Sequence, residues 1–326
     1  MEKINWGIIG CGDVTEIKSG PAFNNVNNSN LVAVMSRNGS KAMDYAKRHH
    51  VLKCYDDAYM LINDPEVNAI YVATPPSSHE EYAIASLMAG KPVYVEKPMA
   101  LTYLSALQMK AMVENTGVKL VVAHYRRMQP MFKKIKDLLD DSAIGEIRTA
   151  QMIFYRKPLS NEELDDPKIS WRVNEDISGG GLFHDLAPHQ IDLMYYFFGE
   201  VDHAYGISKN QAHLYNAPDI VTRNILFKND IIFTGVWCFN VHIASEKDEC
   251  EIIGSEGSLQ FSIFGEPKIT FNKKGKTEII TFDPLKHVQQ PMIEKVVEYF
   301  LDKGPNPCSA HNGAEVMKIL DLSTGV

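Results

Sequence analysis

The sequence has few cysteines, and their arrangement argues against two common kinds of site. The 326 residues contain 5 cysteines, which are odd in number and scattered: Cys11, Cys54, Cys238, Cys250 and Cys308. No two of them form a Cys-x-x-Cys pair, so neither a disulfide framework nor a zinc site is indicated. We therefore predict reduced, mainly buried thiols and no bound metal.

Other absences narrow the class of protein. No apolar run approaches the ~20 residues that span a bilayer, and Met1-Glu2-Lys3 leads into an apolar strand without room for a signal peptide. The formal net charge of -8 argues against a nucleic-acid or anionic-membrane partner, which needs a basic face. Internal repeats and low-complexity segments are missing as well. We expect a cytoplasmic globular protein, with 45% hydrophobic residues to bury two cores.

What is present begins with an apolar strand that runs into a glycine turn. Gly10 and Gly12 allow the backbone to turn tightly and to approach a pyrophosphate at a helix N-terminus. The third small residue of the dinucleotide fingerprint falls at Thr15, so the match is imperfect, and a glycine turn without a ligand stays open. Residues 31–35 then supply a second apolar strand at the spacing of a β-α-β unit. This spacing predicts a dinucleotide site.

The order of predicted elements indicates two domains. Residues 1–123 alternate apolar strands and amphipathic helices, which predicts a Rossmann-like α/β domain with a parallel sheet. Residues 124–326 carry long segments rich in β-branched and aromatic residues joined by short turns, which predicts an α+β domain with a large, mostly antiparallel open sheet. Two C-terminal helices, 292–301 and 314–322, are predicted without an assigned position.

Two loops follow strands of the first domain and carry polar side chains. Thr74 and Pro75 end one strand, and Glu96 and Lys97 end the next. Open α/β sheets bind ligands at the carboxyl ends of their strands. A lysine there can hold a substrate oxygen, whereas elsewhere it is usually a solvated loop residue. His79 either contacts the coenzyme or caps the helix 79–89 that it opens.

In the second domain, Asp185 and His189 stand four residues apart on a helix predicted to run from Asp185 to about Phe198. Such residues share one face, and histidine suits proton exchange with an alcohol or carbonyl. Pro188 is compatible with the helix if Asp185 lies near the N-cap. The alternative is that Asp185 is only an N-cap and His189 a buried structural histidine.

Several motifs together resemble the Gfo/Idh/MocA oxidoreductases, which include glucose–fructose oxidoreductase, inositol dehydrogenases and 1,5-anhydrofructose reductases. The motifs are the glycine turn, Ala73-Thr74-Pro75, Glu96-Lys97-Pro98, Trp171-Arg172, and Gly179-Gly-Gly-Leu-Phe-His-Asp-Leu-Ala-Pro-His-Gln-Ile-Asp192. The resemblance covers essentially the whole chain. It implies a nicotinamide-dependent dehydrogenase or reductase that acts on a sugar, cyclic polyol or related compound, and it allows a cis peptide bond before Pro98.

The resemblance and the residues give one set of candidates. The predicted catalytic residues are Lys97, Asp185 and His189. The predicted substrate contacts are Lys97, Arg126, Trp171, Arg172, Asp185 and His189. The predicted coenzyme contacts are Gly10, Gly12, Asp13, Val14, Ser36, Arg37, Lys41, Thr74, Pro75, His79, Glu96 and Lys97.

The coenzyme is predicted from the residues after the second strand. NAD-specific Rossmann domains place an acid there, whereas this chain has Ser36 and Arg37, with Lys41 one helical turn on. A serine and an arginine suit a 2′-phosphate, so we predict a preference for NADP over NAD. The alternative is that Arg37 stacks on adenine, which is compatible with NAD.

Two other functions stay open from the sequence. One is a glycosidase that uses transient oxidation by a bound nicotinamide, and the other is a dinucleotide sensor without enzymatic activity. The sensor would have no need of Lys97, Asp185 and His189. We also expect a homodimer, or a dimer of dimers, through the sheet of the second domain, because strand residues such as Phe233, Val236 and Trp237 need cover.

Overall fold

The computed structural model describes residues 2–322, which form two compact units. The first unit comprises the residues up to Gln129 together with Leu285–Met317, and the second comprises Pro130–Pro284 with the residues from Lys318. These units differ from the predicted contiguous domains 1–123 and 124–326. The difference arises because a helix near the end of the chain packs its apolar face into the core of the first unit.

In the described part of the first unit, six strands form one parallel sheet in the order β3-β2-β1-β4-β5-β6. Their bounds are Ile4–Ile9 for β1, Ser29–Met35 for β2, Lys53–Tyr55 for β3, Ala69–Val72 for β4, Val93–Val95 for β5 and Leu120–Val122 for β6. The order reverses between β1 and β4, which is where doubly wound sheets bind ligands. The predicted Rossmann-like sheet is confirmed.

The helices of this unit begin and end at local signals. They are α1 Ala22–Asn25, α2 Gly39–Arg48, α3 Ala58–Asn63, α4 His79–Met88, α5 Tyr103–Thr116, α11 Gln290–Phe300 and most of α12 Ala310–Leu320. The sequence predicts a helix from about Tyr103 to Thr116, and α5 has those bounds. The Thr102 hydroxyl accepts a hydrogen bond from the Ser105 amide at its start, and Gly117 ends it with a φ of +67°.

The helix predicted after the glycine turn is interrupted. A π-helix, Val14–Lys18, follows the turn, and the four-residue helix α1 comes after it. Gly20 and Pro21 lie between them, and a Cβ at Gly20 would lie 2.1 Å from the Thr15 carbonyl oxygen. Pro21 has no amide hydrogen to continue a helical ladder, so the chain starts a new helix there.

Aromatic rings join the sheet of the first unit to its C-terminal segment. Trp6 on β1 lies 4.8 Å from the ring of Phe23 and 5.6 Å from that of Phe300 on α11, between centroids. Its indole nitrogen donates to the Ser29 hydroxyl at 3.0 Å. Five residues of α11 are buried, namely Met292, Ile293, Val296, Val297 and Phe300. Burial of this face therefore explains why residues 285–317 belong to the first unit.

The second unit contains, within residues 2–322, a nine-stranded sheet in the order β15-β14-β13-β12-β7-β11-β10-β8, with β9 paired to β10. The strands are β7 Ile147–Tyr155, β8 Val201–Tyr205, β9 Ser208–Lys209, β10 Ile220–Phe227, β11 Ile232–Cys238, β12 Lys247–Gly254, β13 Gly257–Phe261, β14 Lys268–Lys273 and β15 Lys276–Thr281. Only β7 and β11 pair in parallel among these described strands. The predicted large, mostly antiparallel sheet is confirmed.

The helices of the second unit lie mainly between β7 and β8. They are α6 Pro130–Asp140, α7 Asn161–Asp165, α8 Pro167–Ser170, α9 Glu175–Ser178 and α10 Gly181–Phe198. The three short helices were not predicted, because each is about one turn long. Each begins at a capping side chain: Ser160, Asp166 or Asn174.

Strand β11 packs one face against α10. Phe233 and Trp237 are fully buried on that face, and the Trp237 indole donates to the Gln190 amide oxygen at 2.6 Å. The expectation that these two side chains need cover from a partner is therefore wrong, because residues two apart share a face of a strand. Ile232 is 50% exposed and Val236 is half-buried on the opposite face.

Candidate active site

The glycine turn at the end of β1 has the geometry of a phosphate cradle. Gly10 has a φ of +109°, and a Cβ there would lie 2.7 Å from the Ala73 carbonyl oxygen. No atom lies within 4 Å of the position that a Cβ would take at Gly12. One glycine therefore permits contact with the neighbouring strand, and the other leaves open space beside the backbone, as close approach of a dinucleotide requires.

Thr15 occupies the third position of the fingerprint without obstructing the turn. Its hydroxyl donates to the Gly12 carbonyl oxygen at 2.7 Å, and its own carbonyl accepts from the Tyr45 hydroxyl at 2.7 Å. The side chain is fully buried. Asp13 is exposed and Val14 half-buried at the start of the π-helix. The imperfect match at Thr15 is thus accommodated by hydrogen bonds within the turn, and a π-turn of this kind is frequent at functional sites.

The predicted coenzyme contacts after β2 lie at the same edge of the sheet. Ser36 is half-buried, whereas Arg37 and Lys41 are exposed. Asn38 caps α2 by accepting from the Lys41 amide at 3.2 Å. The Asp56 side chain, which follows β3, lies 3.4 Å from the position of a Cβ at Gly39. The charged groups of Arg37 and Lys41 are therefore accessible to a ligand, and the Asp56 carboxylate lies beside the same loop.

His79 begins α4 and joins two loops. Its ring nitrogens lie 2.7 Å from the Thr74 carbonyl oxygen and 2.9 Å from the Pro98 carbonyl oxygen. The side chain is fully buried, and burial lowers its pKa. The predicted cap is not what the His79 side chain provides, since Ser78 takes the N-cap position of α4 without a side-chain cap hydrogen bond. The ring instead faces backbone carbonyls of the loops that follow β4 and β5, which is a different structural role, and a coenzyme contact stays a prediction.

The segment after β5 presents one lysine from a buried backbone. From Val93 to Ala100, Lys97 alone is partly exposed. The peptide bond between Lys97 and Pro98 is cis, as the resemblance allowed. The Glu96 carboxylate is buried, where it accepts from Tyr71, from Gln289 at 2.6 Å and from the Lys97 amide at 3.2 Å. The sequence carries no signal for Gln289, which is distant in the chain and belongs to no motif.

In the second unit, α10 begins at Gly181, four residues earlier than predicted. Asp185 lies one turn inside the helix, so the interpretation of Asp185 as an N-cap is wrong. Pro188 lies in the helix interior and not in its first turn. His189 is buried, and its ring lies 5.8 Å from that of Phe264 between centroids.

The Asp185 carboxylate forms an ion pair with Arg172, which is itself a predicted substrate contact. The Arg172 Nε atom donates to the Asp185 Oδ2 atom at 3.0 Å, and the two side chains are 29% and 19% exposed. The Arg172 guanidinium also lies 4.5 Å from the Trp171 ring centroid and donates to the Lys168 carbonyl oxygen at 2.5 Å. Three candidates thus form one cluster in this unit, and no periodic spacing in the sequence predicts it.

Arg126 belongs to the first unit, in the 3₁₀ turn Tyr125–Met128. It is half-buried, with its guanidinium 5.7 Å from the Tyr125 ring centroid.

Among residues 2–322, no group of His, Cys, Asp or Glu is arranged to hold a metal ion. In the same part of the chain, no helix has both the length and the apolarity to cross a membrane.

Comparison with known proteins matches both units. Residues 4–124 match a family described as "Oxidoreductase family, NAD-binding Rossmann fold", and residues 132–260 match the "GFO/IDH/MocA C-terminal domain". An oxidoreductase of Formosa agariphila is 46% identical over 323 residues, 99% of each chain. The 1,5-anhydro-D-fructose reductase of Ensifer adhaerens is 26% identical over 78% of this chain and 74% of its own.

A solved structure has the same fold. Levoglucosan dehydrogenase, in complex with NADH and levoglucosan, superimposes with a TM-score of 0.87 at 22% identity, covering 98% of this chain and 95% of the other. At that identity, the likeness concerns the fold alone.

Proposed function

This chain belongs to the Gfo/Idh/MocA family of nicotinamide-dependent oxidoreductases, and from that membership we propose that its substrate is a sugar, cyclic polyol or related compound. The reaction oxidises a hydroxyl group or reduces the corresponding carbonyl. The observation that carries the proposal is Lys97, the one partly exposed side chain from Val93 to Ala100, at the sheet edge that holds the glycine turn. The substrates named for the relatives, 1,5-anhydro-D-fructose and levoglucosan, support the choice of substrate class.

We assign the chemistry to three side chains. A nicotinamide coenzyme, when bound, would supply the site that accepts or donates the hydride. His189 exchanges the proton of the substrate hydroxyl, and Lys97 polarises the substrate oxygen through its ammonium group. Asp185 orients the histidine or a neighbouring substrate hydroxyl, and its pair with Arg172 at 3.0 Å fixes the carboxylate. We add Trp171, Arg172 and Arg126 as substrate contacts, because indole faces pack on sugar rings and guanidinium groups donate to hydroxyls.

The test is a panel of sugars, inositols and their keto forms, followed by absorbance at the nicotinamide wavelength. On the best substrate, His189→Ala and Lys97→Ala should lose about 10²–10⁴ in kcat and still bind coenzyme. The matched controls are His203→Ala and Lys47→Ala, both at exposed positions. Near-wild-type turnover of a folded His189→Ala or Lys97→Ala variant would show that the assigned role is wrong.

The same panel, extended with glycosides and with released sugar measured beside the absorbance, separates the alternative functions. A glycosidase that uses transient oxidation would release sugar from a glycoside without net change in the coenzyme. A sensor would bind coenzyme and turn over no compound. We favour an enzyme over the sensor because a protein that only binds a dinucleotide has no need of Lys97 and the Arg172–Asp185 pair. The released-sugar measurement separates the dehydrogenase or reductase from the glycosidase.

We propose that NADP is preferred over NAD. Ser36, Arg37 and Lys41 offer a hydroxyl and two accessible cations at the end of β2, which suit a 2′-phosphate. Comparison of kcat/KM for the two coenzymes tests this. Arg37→Ala should lose activity with NADP alone, and Asp56→Asn, which removes the nearby carboxylate, should increase the preference. Equal or NAD-favouring values in the wild type would overturn the assignment.

We also propose that the protein forms a homodimer, or a dimer of dimers, through the sheet of the second unit. The support is the β11 face opposite α10, where Ile232 is 50% exposed and Val236 half-buried. A monomeric mass by light scattering would exclude this assembly. The cytoplasmic location stays a prediction.

A further inference from the structure

Residues 287–289, a short segment before α11, contact the end of the π-helix Val14–Lys18 that follows the glycine turn, the glycine-turn helix. The Gln289 amide donates to the Lys18 carbonyl oxygen at 3.1 Å, and a ring nitrogen of His287 lies 2.6 Å from the Ile17 carbonyl oxygen. Gln129 donates from its side chain to the Val288 carbonyl oxygen at 3.2 Å. All of these residues belong to the first unit. The segment therefore fixes the last turn of the π-helix that follows the glycines.

The Gln289 side chain reaches the segment that carries Lys97. It is fully buried; its Nε2 atom donates to Glu96 Oε1 at 2.6 Å, and its Oε1 atom accepts from the Tyr94 hydroxyl at 2.9 Å. Glu96 also accepts from the Tyr71 hydroxyl. Burial and the Glu96 charge raise the pKa of Tyr71, so this phenol stays a donor. The position requires a side chain that donates to the carboxylate and accepts from the phenol at once, and an amide does so at every pH.

The other oxygen of Glu96 points to the catalytic lysine. Its Oε2 atom accepts from the Lys97 amide at 3.2 Å, so the carboxylate fixes the backbone from which that side chain projects. Gln289 is thus bonded by its backbone to the end of the glycine-turn helix and by its side chain to the turn that begins at Glu96.

We propose that Gln289 is a positioning residue. It holds the turn Glu96-Lys97-Pro98 at a fixed position relative to the glycine turn. The proposal rests on the role proposed above for Lys97. Replacement of the side chain leaves the hydrogen bond from the Gln289 backbone amide to the Lys18 carbonyl in place and removes the hydrogen bond to Glu96. The expected signature is a fall in kcat with coenzyme affinity retained. Misplacement by about 1 Å can cost roughly 10²-fold in rate.

Gln289→Glu is the decisive variant, because it keeps the shape and replaces the donor to Glu96 by an acid. The titratable groups that bond to this side chain are Glu96 and Tyr94. Tyr71 bonds to Glu96, and His287, two residues earlier, faces the Ile17 carbonyl oxygen. At low pH, a shared proton can bridge the two carboxyls, and at higher pH they repel. We expect near-wild-type kcat at low pH and a loss of 10-fold or more as pH rises, with an apparent pKa that the wild type lacks.

The measurement is the pH profile of kcat, with coenzyme Kd and thermal unfolding recorded at each pH. Gln290→Glu is the matched control, because this neighbour bonds only to the exposed Glu294 among the hydrogen bonds described for its side chain. A profile parallel to the wild type, or a loss that follows the unfolded fraction, would overturn the proposal and leave Gln289 purely structural.

Gln289→Met provides a second route if Gln289→Glu fails to fold. It has a similar length and removes the donor to Glu96, so kcat should fall with coenzyme Kd unchanged and without a new apparent pKa; unchanged kcat would contradict the proposal. Lys97→Ala separates the two levels of inference. If Lys97→Ala is inactive and both variants match the wild type, only the role of Gln289 is wrong. If Lys97→Ala is active, the proposed function itself fails.

Discussion

The two glycines of the turn should respond in opposite ways to the same substitution. At Gly10, alanine would adopt a φ of +109° and place its Cβ 2.7 Å from the carbonyl oxygen and 2.8 Å from the carbonyl carbon of Ala73. The dihedral strain costs about 1–3 kcal/mol, and the forced shift of backbone about 1–3 kcal/mol more. A loss of about 4 kcal/mol corresponds to roughly 8–16 °C in Tm for a unit of this size.

At Gly12, the same methyl group meets no protein atom within 4 Å, and its φ lies outside the left-handed region. We therefore expect Gly12→Ala to keep its Tm within a few degrees. The methyl group would instead occupy the space that a bound pyrophosphate needs. Coenzyme affinity should fall at least ~10-fold, or ~1.4 kcal/mol.

The assay combines thermal unfolding without coenzyme and a fluorescence titration with NADP and NAD. Gly12→Ala serves as the control for the stability of Gly10→Ala, since the two changes add the same atoms. Wild-type coenzyme affinity in Gly12→Ala would refute the assignment of this turn as the phosphate cradle. Equal destabilisation by both substitutions would refute the steric argument.

Two further predictions concern stability. The hydrogen bond from Arg48 lowers the pKa of Glu16 to about 2, so the stability that this pair contributes is present above pH ~4.5 and is lost as pH falls towards 2. The difference in Tm between wild type and Arg48→Ala should therefore shrink over that range, and a difference independent of pH would exclude the linkage. Gln190→Leu leaves the buried Trp237 indole donor without its acceptor, and should lower the free energy of unfolding by about 1–3 kcal/mol in urea titrations. A matched Gln211→Leu substitution at an exposed position should change it little, and equal effects would contradict the explanation.

The sequence predicted the elements whose signals are local. Helix α5 lies between a threonine cap and a left-handed glycine, and its bounds follow from those residues alone. The glycine turn and the Glu96-Lys97-Pro98 segment are likewise contiguous, so their place at strand ends could be inferred. Richness in β-branched and aromatic residues predicts a strand over 220–227, and β10 has those bounds, with every second residue buried.

The features that the sequence did not predict depend on distant contacts. Helix α10 begins at Gly181, which has a φ of +70° and whose missing Cβ would lie 2.5 Å from that of Ala217, 36 positions later in the chain. Gln289 meets Glu96 across 193 residues. The Arg172–Asp185 pair joins a 3₁₀ turn to a helix. Its separation of 13 residues is neither the three or four residues of helix neighbours nor the spacing of a strand face. Such pairings follow from tertiary packing and leave no periodic signal.

The return of the chain to the first unit has a consequence for biosynthesis. The β6 amide of Val122 donates to the Cys308 carbonyl oxygen at 3.0 Å, and Trp6 packs on Phe300, so the coenzyme-binding unit needs residues from both ends of the chain. When the chain has emerged from the ribosome only as far as Gln129, the strands of the parallel sheet are present without these partners. Pro130–Pro284 emerges in full before the first unit can close. A nascent chain is therefore expected to acquire coenzyme-dependent protease resistance only after residues 285–317 have left the ribosome.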